Sequence, residues 1–196
     1  MLLLDTSQYP AEDRAELIRD GLSDLTGCNV SPADGDALMQ VRWRAWDIGD
    51  GCSLLSMQST GVQLRRPPPR FGSAESPVIG FSMMPSGACR FSQHDRHEIV
   101  PDGGMFIAEM GEAFTCQLPA GSEGADLMIP LEVLDLPLRD VRNAAQWLPR
   151  SPLYGLACQH LLSLTRYTQE FDAPNPSAQQ AALHVLRALV KSFGTD

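Results

Sequence analysis

The sequence predicts a mainly β fold with helices: a barrel or sandwich of short strands, preceded by one helix and followed by a helical hairpin. Three observations carry that prediction. Apolar residues recur at helical spacing near both ends of the chain, but in short runs of strand length from Val41 to about Leu134. Clusters of Gly, Pro, Asp and Ser separate those runs and form turns. The regular spacing of strand and turn is that of an all-β sandwich or barrel.

The leading helix is expected over about Pro10 to Thr26. Pro10 suits a first helical turn, and Glu12 and Asp13 complement the positive end of the helix dipole. Leu17 with Ile18, Leu22 and Leu25 fall on one stripe, and Gly27 stops the helix. A polar loop, Asn29 to Asp36, follows. Strands are then expected at Val41–Trp46, Ser53–Gln58, Val62–Arg66, Val78–Met84, Ala88–Ser92, Arg96–Val100, Met105–Glu109, Phe114–Leu118 and Ala125–Pro130. The turns between them include Gly49-Asp50-Gly51, Pro85-Ser86-Gly87 and Pro101-Asp102-Gly103-Gly104. Pro67-Pro68-Pro69, flanked by Arg65, Arg66 and Arg70, reads as a stiff connector between two strands.

After Leu134 the period is helical again. Leu153–Phe171 carries Leu153, Leu156, Leu161, Leu164 and Tyr167 on one face. Pro174-Asn175-Pro176 breaks the chain and Ser177 caps a final helix over about Ala178 to Phe193. Ala182, Leu186, Leu189 and Phe193 are in register on it, Leu183 and Val190 widen the stripe, and Gly194 ends it.

Composition narrows the function. The 196 residues, 43% hydrophobic and 20% charged, suffice for one sizeable core. Apolar runs such as Leu127-Met128-Ile129-Pro130-Leu131 are too short for a bilayer. Met1-Leu2-Leu3-Leu4 has no basic flank and meets Asp5, so it does not read as a signal peptide, and a cytoplasmic location without membrane contact is expected. The net charge is −9, with a single lysine, Lys191. Phosphate contacts need clustered Lys and Arg, so this chain is not expected to hold DNA itself. Cys28, Cys52, Cys89, Cys116 and Cys158 are odd in number and widely spaced, and contain no Cys-x-x-Cys pair. They read as buried thiols rather than as a disulfide framework or zinc site. No Ser-His-Asp spacing, nucleophile elbow, Walker loop or dinucleotide fingerprint appears, and no cofactor is expected.

The stretch Val78-Ile79-Gly80-Phe81-Ser82-Met83-Met84-Pro85-Ser86-Gly87 is followed by Phe91-Ser92-Gln93-His94-Asp95-Arg96 and by Val100-Pro101-Asp102-Gly103-Gly104. This order resembles the ligand-binding domain of AraC/XylS-type transcription regulators. There an apolar strand ends at a Gly, a hairpin ends in Arg, and a Pro-x-Gly turn starts the next strand. Glu112-Ala113-Phe114 and Leu127-Met128-Ile129-Pro130-Leu131 resemble the closing strands of that family, and the likeness covers most of residues 5–193. The chain departs from the pattern at His94-Asp95, where Asp-Gly is common, and at Met105, where an acidic residue is common.

The resemblance implies a cupin-like barrel that encloses a small-molecule effector, and helices that pair two subunits. It places the helix and barrel in residues 1–134 and a dimerisation and linker segment in residues 135–196. In the family a helix-turn-helix domain follows, and DNA is expected to be bound only through such a domain, beyond Asp196. The implied function is effector sensing and dimerisation in transcriptional control, without catalysis. The alternative is a metal-dependent cupin enzyme, an isomerase or dioxygenase. Its metal ligands would have to include His94 and His97, which lie three apart and so on opposite faces of a strand, with Phe106 near the place of a further His.

The barrel segment is rich in Met and Phe, which suit an apolar pocket with few polar anchors. Candidate ligand-binding residues are Trp43, Phe81, Met83, Phe91, Arg96, Phe106 and Met110. Alternation puts Ile79, Phe81 and Met83 on one face of their strand and Phe106, Ala108 and Met110 on one face of theirs, and leaves open which faces look inward. Trp43 and Trp46 fall on opposite faces, so at most one lines a pocket. The expected ligand is an apolar or aromatic molecule with one polar or anionic group, anchored by Arg96 or Arg90. The homodimer interface is expected at Leu183, Leu186, Val190 and Phe193.

Overall fold

The computed structural model describes residues 2–33, 39–68, 77–171 and 176–193. Asp34 to Asp36, Pro69, Arg70, Pro174, Asn175 and Gly194, which the sequence assigns to loops, connectors and a helix end, lie outside the described residues. Strands β1 (Leu2–Asp5), β3 (Val41–Gly49), β4 (Cys52–Ser59), β6 (Val78–Ser86), β9 (Met105–Glu109) and β11 (Ser122–Pro130) form one antiparallel sheet, in the order β1-β3-β4-β11-β6-β9. Strands β2 (Asn29–Pro32), β5 (Val62–Arg66), β7 (Cys89–Gln93), β8 (Arg96–Val100) and β10 (Phe114–Leu118) form a second, in the order β2-β5-β10-β7-β8. Helix α1 (Ala11–Thr26) precedes most of the strands, and α2 (Leu131–Leu134), α3 (Leu138–Trp147), α4 (Tyr154–Phe171) and α5 (Pro176–Lys191) follow them.

The fold class is the expected one, with four additional elements. β1 and β2 are edge strands, and β2 takes up the first half of the segment expected as a polar loop. Asn29–Pro32 pairs with β5 from Arg65 to Val62, which satisfies its backbone groups. Pro32 is tolerated because it ends an edge strand. α2 and α3 fill the interval between the last strand and the expected hairpin. Each starts after a proline with extended backbone, Pro130 and Pro137.

The larger sheet contributes to an apolar core on each of its faces. One face meets the smaller sheet around Trp43, Met57, Met84, Phe91, Phe106 and Phe114. The other carries Trp46, Leu54, Phe81, Ile107, Leu127 and Ile129 against the apolar sides of α3, α4 and α5. Registers agree with this division: Phe81 lies opposite Ile107 and Leu127, while Ser82 lies opposite Phe106 and Asp126. The turn after β6 requires Gly87, whose φ is +82° and where a Cβ would sit 2.8 Å from Ser122 Oγ.

Buried polar contacts fix the helical layer to the sheet. The Tyr154 hydroxyl on α4 accepts from the Met105 N–H at 2.7 Å and donates to the same residue's carbonyl at 3.2 Å. Gln179 on α5, only 3% exposed, donates to the carbonyl of Gly49 in the β3–β4 turn at 2.9 Å. Arg187 donates to the carbonyls of Leu134 and Val133 at 3.0 and 2.7 Å, and so closes the C-terminal end of α2.

Candidate functional site

The space between the two sheets is not filled. A cavity of about 60 Å³ remains, walled by Met57, Met84, Met110 and Met128, by the rings of Trp43, Phe91, Phe106 and Phe114, and by the thiols of Cys28 and Cys116. Phe91 is the hub of the ring cluster, 4.3 Å from Phe106 and 5.9 Å from Phe114 between centroids, both tilted. Gly80 and Gly124 leave room beside it. A Cβ at Gly80 would meet the sulfurs of Met110 and Met128 at 3.1 and 3.2 Å, whereas one at Gly124 would meet Met57 Cε at an ordinary 3.9 Å.

Two polar features stand on this apolar wall. The indole Nε1 of Trp43 is buried and has no hydrogen-bond partner. Asp126 lies on β11 in a cross-strand row that runs Phe106, Ser82, Asp126, Leu55 over β9, β6, β11 and β4. Its carboxyl borders the cavity, and the residue is half-buried. Burial pushes its pKa up to about 6, against the opposing hydrogen bond from the Ser82 hydroxyl. Asp126 is the one charged side chain among the described residues that line the cavity.

The candidate residues divide between this cavity and other places. Trp43, Phe91, Phe106 and Met110 line it. Phe81 does not: its strand turns the face with Ile79 and Phe81 to the helices, and Phe81 is fully buried there. Met83 belongs to that helical core as well and also reaches the cavity wall, beside a register shift between β6 and β11. Arg96 lies over the Phe91 ring, 5.1 Å from its centroid, donates to the Ile107 carbonyl and pairs with Glu98. It therefore lines an outer groove, not the cavity, and Arg90 is exposed. Sequence reasoning missed Asp126 and Ser82. The available signal was an acidic residue inside an apolar strand, where alternation sets Asp126 with Gly124 and Met128, opposite Leu127 and Ile129.

The outer groove, of about 610 Å³, lies between the β7–β8 hairpin, β9 and α3. At its centre Glu109 accepts from Arg142 Nε and an Arg142 terminal nitrogen, both at 2.8 Å, and His94 Nε2 is 3.3 Å away. Burial opposes the ionised form of Glu109, but the Arg142 bonds and His94 outweigh it and hold the carboxyl below its usual range. The Gln93 side chain clamps the backbone of Glu109 from both sides, accepting from its N–H and donating to its carbonyl at 2.9 Å. His94 sits in the hairpin turn with φ +52°, and His97 bonds Ser92. Among the described residues no three His, Cys, Asp or Glu side chains converge to hold a metal.

The expected dimer residues are inside the chain. Leu183, Leu186 and Val190 are 2%, 0% and 1% exposed, and Phe193 packs partly against the same core. The wide stripe on α5 is consumed by the sheet, α3 and α4. On α4 the expected apolar face is rotated: Ala157, Leu161 and Leu164 are buried, while Leu156 and Tyr167 are 57% and 39% exposed. No helix among the described residues is long and apolar enough to cross a membrane.

A family model described as an AraC-binding-like domain matches residues 24–193. Curated protein sequences yield no match. Among solved structures, the AraC-like transcriptional activator CuxR is similar over 100% of this chain and 70% of its own, at 14% identity and a TM-score of 0.76, a likeness of fold. The Cupin_2 domain of an XRE family transcriptional regulator from Enterobacter cloacae matches 45% of this chain and 94% of its own at 12% identity, with a TM-score of 0.37. KdgF from Halomonas sp. matches 46% and 78% at 13% identity, also with a TM-score of 0.37.

Proposed function

This chain belongs to the family of AraC-binding-like domains, and on that premise we propose that it is the effector-sensing part of a transcription regulator, with the barrel cavity as the effector site. The observation that carries the reading is the cavity itself: space kept open between the sheets, apolar on most sides, with a half-buried carboxyl and an unpartnered indole N–H on its wall. A well-packed core has neither such a void nor such polar atoms, whereas a ligand site needs both. The role is binding rather than catalysis.

Occupancy has a short route to the helices. β9 presents Phe106 and Ala108 to the cavity and ends at Glu109, which Arg142 ties to α3. Ligand contact with β9 biases the seating of α3, and through the shared core α4 and α5, which an attached DNA-binding domain reads. Pairing of two chains belongs to this reading. The buried face of α5 is not available for it, and exposed Leu156 and Tyr167 on α4 and Trp147 on α3 are large apolar side chains of the helical layer that a second copy could cover.

Methyl-labelled methionine offers the test. An effector found by thermal shift is expected to move the NMR signals of Met57, Met84, Met110 and Met128, and to leave Met39, which is buried outside the cavity wall, nearly unshifted. An effector that shifts none of these four methyls overturns the proposal.

A further inference from the structure

The chemistry of the cavity says which class of molecule it takes, on the reading that it is the effector site. We propose that the ligand is a small apolar amine, bound with its ammonium group on Asp126 and its carbon body against the rings of Phe91, Phe106 and Phe114.

Charge balance is the first argument. Asp126 has the Ser82 hydroxyl as a partner but no ion pair, and no Arg, Lys or His lines the cavity among the described residues. A carboxylate held in an apolar interior without a cation is unfavourable, and a ligand cation removes that penalty. An anionic ligand would add a second negative charge to the same enclosed space. The expectation of an anionic group anchored by Arg96 or Arg90 is therefore replaced: both arginines are outside the cavity, and the group that faces it is an acid.

Shape and wall chemistry agree. A cation beside Asp126 has the Phe106 ring in the same cross-strand row, one strand beyond Ser82. Phe91 and Phe114 continue the ring surface on the facing sheet. Aromatic faces attract ammonium groups, most strongly away from water. The thioethers of Met57, Met84, Met110 and Met128 can adjust to the ligand body. A volume of about 60 Å³ limits that body to a few heavy atoms before these side chains move.

Matched probes test the proposal on the full chain. n-Butylamine, butan-1-ol and butyrate, and benzylamine, benzyl alcohol and benzoate, differ within each set mainly in the polar group. Each is titrated while the methionine methyl signals and the Tm are followed. The amine of at least one set is expected to shift the cavity methyls with an affinity tenfold or more above its alcohol, and the acids to have no effect. Asp126→Asn is expected to remain folded and to lose the preference for amine over alcohol. The titratable groups facing the Asp126 carboxyl from the wall are the Cys28 and Cys116 thiols. Amine affinity should thus hold above pH 7 and fall, by up to tenfold per unit, below the pH at which Asp126 takes up its proton. If alcohols or acids shift the cavity methyls as well as amines do, the cavity remains an effector site and the amine assignment fails. Undiminished amine preference in Asp126→Asn also defeats it. If no probe reaches the cavity methyls, the amine assignment fails, and the effector site is decided separately by the effector titration above.

Discussion

Asp126 concentrates the chemistry of the cavity in one side chain, and its cost can be measured without any ligand. Its folded pKa, about 6, lies above the ordinary 3.8. Between those values the folded chain binds a proton that the unfolded chain has released, so stability falls as pH rises from about 4 to 6 and stays lower above it. Asp126→Asn keeps a partner for Ser82 and removes the titration. It is expected to raise the Tm at pH 7.5 by a few degrees, roughly 1–3 kcal/mol, the lower end reflecting contact with the cavity. The gain should vanish near pH 4. Thermal scans of both proteins across that range check this, and equal Tm values at pH 7.5 would refute it. Residues of this kind are hard to find in the sequence because a strand shows its alternation but not which side is inward. The Trp43–Trp46 opposition was legible and holds, with Trp43 on the cavity and Trp46 under the helices. For Phe81 the same alternation was legible, and the deciding fact, a helical layer behind the sheet, was not.

At the scale of elements, strands with Gly, Pro or Asp close to both ends were legible to the residue: β5, β8, β9 and β10 have the expected bounds. β2 was not, because Asn-Val-Ser-Pro carries turn-forming residues and is held by its neighbour β5 rather than by its own propensity. α3 had a readable signal in Leu138, Val141, Ala144 and Ala145, masked by the prolines on either side. The stripe on α5 lies where its spacing predicts, and within the chain it packs against the sheet, α3 and α4. Leu186→Glu is accordingly expected to unfold the chain rather than to separate two copies, since it buries an unpaired charge at several kcal/mol. Leu156→Glu, on an exposed site, should change the Tm little. Circular dichroism melts distinguish them, and a Leu186→Glu protein with a wild-type melt would return α5 to the interface.

The whole molecule has one continuous organisation rather than a barrel with an appendage. The boundary expected at Leu134 separates chain segments but not cores, because Phe81, Ile107 and Leu127 of the sheet share a cluster with Val141, Leu161 and Leu186 of the helices. A chain cut after Leu134 would expose that entire apolar face, and a large contiguous apolar patch drives association. It is expected to aggregate or to bind a hydrophobic dye without a cooperative melt. A soluble truncated protein with a sharp transition would show that the barrel folds alone.

The two-faced sheet also bears on how such a protein changes over generations. On the proposed reading, neighbouring residues of one strand answer to different selection pressures: Phe81 and Leu127 to the packing of the helices, Ser82 and Asp126 to the effector. Drift on the inner face can recruit a new signal while the outer face keeps the response intact. A lineage built on this plan can diversify what it detects faster than what it does on detection.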